Sequence, residues 1–362
     1  MLFGYPIAAT QDNWLHDCLC EAVRVIHAAV DANKKYPVWP TVLPKAHRDT
    51  LKSRTGLRDR LKAYNTAVRK LAKAERDIVL DALDSENRIG DLLSGACECA
   101  TIDGLPEIVQ GPVAELFGFA FCLLTDLALR DQQYAVIYAT IPERVCPFCG
   151  MEAFDAPGAA REALDHYLTR SRYAFAAANL RNLVPMGHKC NSSYKLARDL
   201  LRRDDGSRRV AFDPYNHTKI SVSLDDSEPF AGATENTPKW KIRFEPETPA
   251  VPTWDEVFSV RERYRRDVLD PCFRSWLDLF AKAARRDGVQ ADSDAALIAA
   301  LKRLEDGYED NGLQDRAFLK AAVFRMLRYH CEAGNKRLLE QLRNLVRPPP
   351  RPIADSADSS MS

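Results

Sequence analysis

Neither sign of charge predominates in this chain: 51 lysines and arginines balance 51 aspartates and glutamates over 362 residues. A protein that coats nucleic acid by bulk charge is basic, so any such contact here has to come from local patches. Cysteine is sparse for the length, ten scattered residues, which excludes a disulfide scaffold. Long hydrophobic runs are lacking too. The longest candidate, Val113 to Leu129, is interrupted by Glu115, Gly118 and Asp126, and no run approaches the ~18–20 apolar residues that span a bilayer. The opening residues, MLFGYPIAATQDNW, have neither a basic n-region nor a sustained apolar core, so a signal peptide is not expected. No internal repeat, zipper, homeodomain or finger array is visible, and the first 140 residues hold no glycine-rich phosphate loop or catalytic triad. Hydrophobic content of 46% with 28% charge is that of an ordinary globular protein, long enough for two or three domains. A reducing cytoplasm, with no membrane partner, is the simplest home.

What is present reads as helix at both ends. Residues 14–30 place apolar side chains at helical spacing behind Asp12 or Asn13 as N-cap. A connector broken by Pro37, Pro40 and Pro44 precedes a charged helical stretch from Ala46 to Asp84. Its basic first part is read as a solvated helix face in preference to a phosphate-binding strip. Ser85 to Gly111 has no clear pattern, and Val113 to Tyr138 predicts one or two buried helices. Lys219–Leu224 and Lys239–Phe244 alternate with period two and predict a small antiparallel pair. Helices return from Thr253, an expected N-cap with Glu256 completing a capping box, to Arg347. The expected fold class is mostly α with a small α/β core. A helical domain fills 1–140, the core with its appended strands 141–248, a helical domain 249–347, and a proline- then serine- and aspartate-rich disordered tail 348–362.

The chemistry concentrates between the helical parts. Cys146-Pro147-Phe148-Cys149-Gly150 sets two thiols on a tight knuckle, and sixteen residues past Cys149 stands Asp165-His166. Asn182-Leu183-Val184-Pro185 follows, then Cys190-Asn191 and Lys195. A Cys-x-x-Cys pair alone is open to redox, haem or metal roles. In this order, the set over residues 146–195 resembles the HNH endonuclease signature in its His-Asn-Asn form. The resemblance implies a β-hairpin and helix around one divalent cation, often buttressed by a zinc knuckle.

It further implies roles. His166 is the general base, a task suited to a group whose unperturbed pKa is ~6.5. Asp165 and Asn191, the latter opening a helix expected to run from Ser192 to Arg203, supply oxygen ligands to Mg²⁺ (or Mn²⁺), which stabilises charge at the phosphate. Asn182 pins the loop that holds His166. Lys195 is a phosphate contact, although relatives more often place that residue three positions after the asparagine rather than four. Arg170 and Arg172 are candidate DNA-backbone contacts, with ordinary surface charge the competing reading. Structural zinc takes four protein ligands. Gly187 stands where relatives have a cysteine, so Cys146, Cys149, Cys190 and His188 form the favoured set. His217 is a more distant option, and a knuckle held by packing alone stays open. Cys18-x-Cys20 with Cys97-x-Cys99 would make a second site, but residues two apart on a helix face different ways, so incidental buried pairs are preferred. Cys122, Cys272 and Cys331 fall in apolar helical patterns and are expected in the core.

The expected activity is therefore metal-dependent hydrolysis of DNA phosphodiesters, of low intrinsic specificity or directed by a protein partner. The helical flanks would hold the core inactive, dimerise it or dock it. Anti-phage defence, restriction and mobile elements come to mind only by analogy. The rival from another class is a catalytically silent zinc-dependent module that binds nucleic acid or protein. An RNA-directed nuclease or toxin would use the same residues.

Overall fold

The computed structural model describes residues 1–159, 164–217, 219–232 and 237–347; the expected disordered tail, 348–362, lies outside the described residues. The protein is mostly helical with two small antiparallel sheets. It divides into two compact units, Met1–Ser221 with Glu245–Val260, and Val222–Phe244 with the described part of Arg261–Ser362. This differs from the expected boundaries at 140 and 248. The reason is a shared core: Leu15, Leu19 and Val23 from the first helix cluster with Leu116 and Phe117 and with Leu164, Phe175 and Leu183 of the central motif.

The first unit opens with helices α1 (Trp14–Asp31), α2 (Arg48–Leu51), α3 (Thr55–Val68), α4 (Lys73–Glu86), α5 (Ile89–Ser94), α6 (Glu107–Asp126) and α7 (Leu129–Thr140). In α1 the buried positions Leu15, Cys18, Leu19, Ala22, Val23 and Ile26 follow the helical period. Asn13 sits at its N-cap position without a side-chain cap. Its Oδ1 instead accepts from the Leu180 backbone N–H at 2.9 Å, tying the helix to the loop before β2. Helix α6 is the one described helix with the length and apolar content to cross a membrane, a continuity that the charge-interrupted run in the sequence concealed. Its Val109, Val113, Leu116, Phe117, Ala120, Leu123 and Leu124 lie in the core. Each such burial contributes about 1.5–3 kcal/mol for the larger side chains, which accounts for the composition. Ala128, at φ 57°, breaks the run into α6 and α7.

Strands β1 (Leu164–His166) and β2 (Leu183–Pro185) pair antiparallel, Leu164 opposite Pro185 and His166 opposite Leu183. A three-residue pair is marginal alone. Here its outer carbonyls are satisfied by neighbours: Arg130 donates to Leu164 O (3.2 Å), Gln133 of α7 to Leu183 O (3.1 Å), and Tyr5 to Pro185 O. After β2 the expected helix to Arg203 does not form. Cys190–Lys195 makes a single π-helical turn, closed by the Leu196 N–H on Asn191 O at 3.0 Å, and Leu196 then leaves at φ 48°. Asp199, which a continuing helix would carry, is instead buried against Tyr173 (2.8 Å) and Arg172 (3.1 Å).

Strands β3 (Ser221–Ser223) and β4 (Arg243–Glu245) form the second sheet, β3 inside its alternating segment and β4 at the end of the other, reaching one residue past Phe244. Helix α8 (Val251–Phe258) completes the first unit. The expected cap at Thr253 is displaced: Ala250 occupies the N-cap position and Pro252 the first turn, where a missing N–H costs nothing. Glu256 accordingly pairs with Arg203 and Arg209 rather than closing a capping box. Trp254 of α8 donates to Phe148 O at 2.9 Å, bracing the knuckle.

The second unit is built from α9 (Val260–Tyr264), α10 (Asp270–Arg286), α11 (Asp294–Asp310), α12 (Ala317–Glu332) and α13 (Lys336–Val346). Helix α10 buries Phe273, Trp276, Leu277, Phe280 and Ala284 along one stripe. Ser293 and Asn335 cap α11 and α13 by accepting from the Ala296 and Leu338 N–H groups (3.3 and 3.0 Å).

Candidate functional site

His166 ends β1 and is only 8% exposed. Its Nε2 lies 2.9 Å from the Ala177 carbonyl oxygen. A carbonyl can only accept, so Nε2 must carry the proton, and Nδ1 is left with the lone pair. The ring rests against Phe121 of α6, centroids 4.3 Å apart, and the Arg130 guanidinium lies over that same Phe121 ring, 4.5 Å from its centroid. Burial lowers the imidazole pKa from 6.5 to about 4; the Ala177 bond and Asp165 pull it up, Arg170 and Lys195 push it down. His166 is thus a neutral, tautomerically fixed imidazole at physiological pH.

The loop between the strands is clamped from both sides. Asn182 is fully buried. Its Oδ1 accepts from Leu168 N–H at 2.7 Å, while Nδ2 donates to Leu168 O (2.9 Å) and Ala176 O (3.2 Å). From the opposite side Glu86 of α4, also fully buried, accepts from Phe175 N–H at 2.8 Å. Burial holds the Glu86 carboxyl well above the ordinary carboxylate range. Residues 175–177, and with them the carbonyl that sets the His166 tautomer, are held between these two side chains.

Lys195 is 1% exposed, and its Nζ donates to Asp165 Oδ2 at 3.1 Å. The expectation of Lys195 as a phosphate contact is therefore not what the fold provides: the ammonium lies beneath the surface, engaged with the carboxylate beside His166. Asn191 sits in the same π-helical turn, half-buried and directly after Cys190. Arg170 is exposed and lines a 340 Å³ groove with Glu115, Ser171 and Ala177, against the His166 acceptor. Arg172 is instead committed to Asp199, an ion pair that supports the chain after the π-helical turn.

The sulfurs of Cys146, Cys149 and Cys190 lie within 4.8 Å of one another and all three residues are fully buried. Burial, then the two neighbouring thiols, raises the Cys146 pKa well above its ordinary value. A soft dication reverses that balance, since a coordinated thiol is deprotonated. His188 does not join this set: it is exposed. His217 turns away, its Nε2 2.7 Å from Met1 O. Among the described residues Cys18, Cys20, Cys97 and Cys99 form no such group. Cys331 is in the core as expected, whereas Cys272 is half-buried and Cys122 faces outward from α6.

Comparison of the chain with family models, with curated proteins and with solved structures gives no match. Function has to be argued from the geometry. Two participants had no sequence signal: Glu86, one acid in an acid-punctuated segment, and Phe121, one aromatic in an apolar run. Glu152, three residues past Cys149, was visible as an acid beside the knuckle but unmarked by spacing.

Proposed function

We propose that the protein is a phosphodiester hydrolase of the HNH type acting on DNA, with His166 as general base. The observation that supports this most is the proton placement on His166. Nε2–H is held by Ala177 and Nδ1 keeps its lone pair, so the ring can take a proton from a water without first losing one. Asn182 and Glu86 keep the acceptor carbonyl in place as charge develops on the ring, and Asp165 favours the resulting imidazolium against burial, which lowers the ring's pKa to about 4. Arg170, exposed in the adjoining groove, binds the phosphate backbone. The three thiols suit structural zinc, which would lock the knuckle to the π-helical turn. Asp165 and Asn191 are oxygen donors of the kind Mg²⁺ or Mn²⁺ takes; such an ion would neutralise charge at the phosphate. The Lys195 ammonium on Asp165 opposes it by charge, so a cation there requires Lys195 to yield. Direction by a protein partner, in anti-phage defence or restriction, remains an extension of this reading by analogy.

That same ion pair favours a second reading, a silent zinc-dependent binding module, because the buried Lys195 ammonium already fulfils the electrostatic need of the half-buried Asp165 carboxylate. The test is incubation of the full chain with supercoiled plasmid, linear DNA and RNA, each with Mg²⁺, Mn²⁺ or EDTA. Metal-dependent nicking of plasmid supports the nuclease. Binding without cleavage under every condition supports the silent module, and cleavage of RNA alone moves the activity to RNA.

A further inference from the structure

Structural zinc takes four protein donors, and three are in place. The surroundings of the sulfurs restrict the fourth. All three cysteines are fully buried, which disfavours a site completed by bulk water. One residue, through its backbone and its side chain, spans the two halves of the cluster. The Glu152 backbone carbonyl accepts from Cys146 N–H at 2.8 Å, and its side-chain Oε2 accepts from Lys189 N–H at 3.1 Å, one residue before Cys190. The Cys149 sulfur in turn accepts from Met151 N–H at 3.4 Å. Gly187 shows how closely the carboxylate approaches: a Cβ on Gly187 would lie 2.1 Å from Glu152 Oε2. The volume above Gly187 belongs to the glutamate, and any larger residue there would evict it.

We infer that Glu152 supplies the fourth ligand, making a Cys3Glu zinc site from Cys146, Cys149, Cys190 and Glu152. The charge is appropriate. Three thiolates and a carboxylate around Zn²⁺ give the same net charge, −2, as four thiolates, so the buried knuckle gains no additional imbalance. In this structure the carboxylate rests on the Lys189 N–H and does not join the three sulfurs within their 4.8 Å span. Ligation asks the carboxylate to leave the Lys189 N–H for the sulfurs, while the Glu152 backbone is already fastened to Cys146. The inference builds on the zinc knuckle of the proposed function but not on catalysis, since its readout is metal content.

Full-length protein, Glu152→Gln and the double variant Glu152→Gly/Gly187→Cys, which also removes the Glu152 Cβ that would lie 2.8 Å from a Cβ at 187, are compared for zinc held against a competing chelator and by zinc X-ray absorption. Glutamine keeps the size and the acceptor for Lys189 N–H but lacks the anionic donor. The wild type is expected to hold one zinc with three sulfurs at ~2.3 Å and one oxygen at ~2.0–2.2 Å. Glu152→Gln is expected to weaken binding by more than about tenfold, the least that even an outer-shell partner typically contributes. The double variant is expected to regain affinity with four sulfurs. Helix content equal to wild type is the fold control for Glu152→Gln, and where that control fails the donor set in the wild-type absorption spectrum decides alone. A wild type without zinc, a wild-type zinc with three sulfurs and no oxygen donor, or a Glu152→Gln variant that binds as tightly as wild type each overturns the assignment. Zinc results as expected in a protein that cuts nothing would sink the nuclease reading and leave Glu152 in place.

Discussion

The two units handle polar groups in opposite ways. The first buries several, each with a specific partner for at least one atom: Asn182 on the loop backbone, Glu86 Oε2 on Phe175, Lys195 on Asp165, Gln133 Nε2 between β2 and Tyr215, while Glu86 Oε1 and Gln133 Oε1 are buried without one. The second places most of its ion pairs at the surface, as with Arg343 to Glu340 and Lys302 to Asp306, where each contributes little. Among its described residues Glu305 departs from this, buried and paired with Arg328 at 2.6 Å, which also reaches Glu332 at 2.8 Å, and Arg263 is buried as well. A buried polar network costs stability unless complete, and what it gives in return is one arrangement of its members. The first unit is therefore the place to look for chemistry. The second resembles a scaffold whose helices are defined by apolar stripes.

Acid should separate the units most sharply. Burial lowers His16 and His27 of α1 from 6.5 to about 4 each. Both are almost fully buried, His16 beside the Cys20 sulfur at 3.3 Å and His27 bonded to Tyr64 at 2.8 Å. A base whose folded pKa is depressed adds stability above its unfolded pKa, and that stability is lost as pH falls from 6.5 towards 4. Each histidine then accounts for roughly 3 kcal/mol at the acid end of the window. Hydrogen exchange followed from pH 7 to 4.5, corrected for intrinsic rates, should show α1 and α3 losing protection while α11 and α12 keep theirs. Equal loss in both units would break the comparison.

A smaller effect tests the loop clamp. Asn182→Ala removes three buried hydrogen bonds, and the backbone groups of Leu168 and Ala176 left behind cost about 1–3 kcal/mol each where water cannot replace the partner. Denaturant melts should show the first unit losing several kcal/mol. A change below about 1 kcal/mol would mean the loop is held by packing, without need of the asparagine.

The smallest expected effect sharpens the comparison within the first unit. Arg170→Ala should weaken DNA binding and reduce its salt dependence by about one counterion, with the melting temperature unchanged because the side chain is exposed. Arg172→Ala should do the reverse, leaving binding alone and lowering stability slightly through loss of the Asp199 pair. Binding isotherms at several salt concentrations distinguish the two. Reversed results would exchange their roles.

What the sequence disclosed follows the same division. Helical spacing located α1, and period-two alternation located the neighbourhoods of β3 and β4, because burial of one face imposes a period that survives in the residue order. The residues Asp165-His166, Asn182 and Cys190 fall within residues 165–190, and Asn182 there bonds to the backbone of Leu168 and Ala176. The failures were long-range. Nothing local says that Asp199 will be drawn inward and end a helix, that Lys195 will turn to Asp165, or that His188 will face outward while Glu152 leans over Gly187. Such outcomes depend on which segments the shared core brings together, and spacing along the chain does not record them.

The central claim is that His166 removes the proton. It is tested most directly by the plasmid-cleavage rate of His166→Gln beside wild type at equal Mn²⁺, since glutamine can still donate to Ala177 O but offers no basic nitrogen. A fall of about 10²–10⁴-fold, with the hydrogen-exchange pattern of the first unit unchanged, is the predicted result. A variant that cuts at the wild-type rate would contradict it.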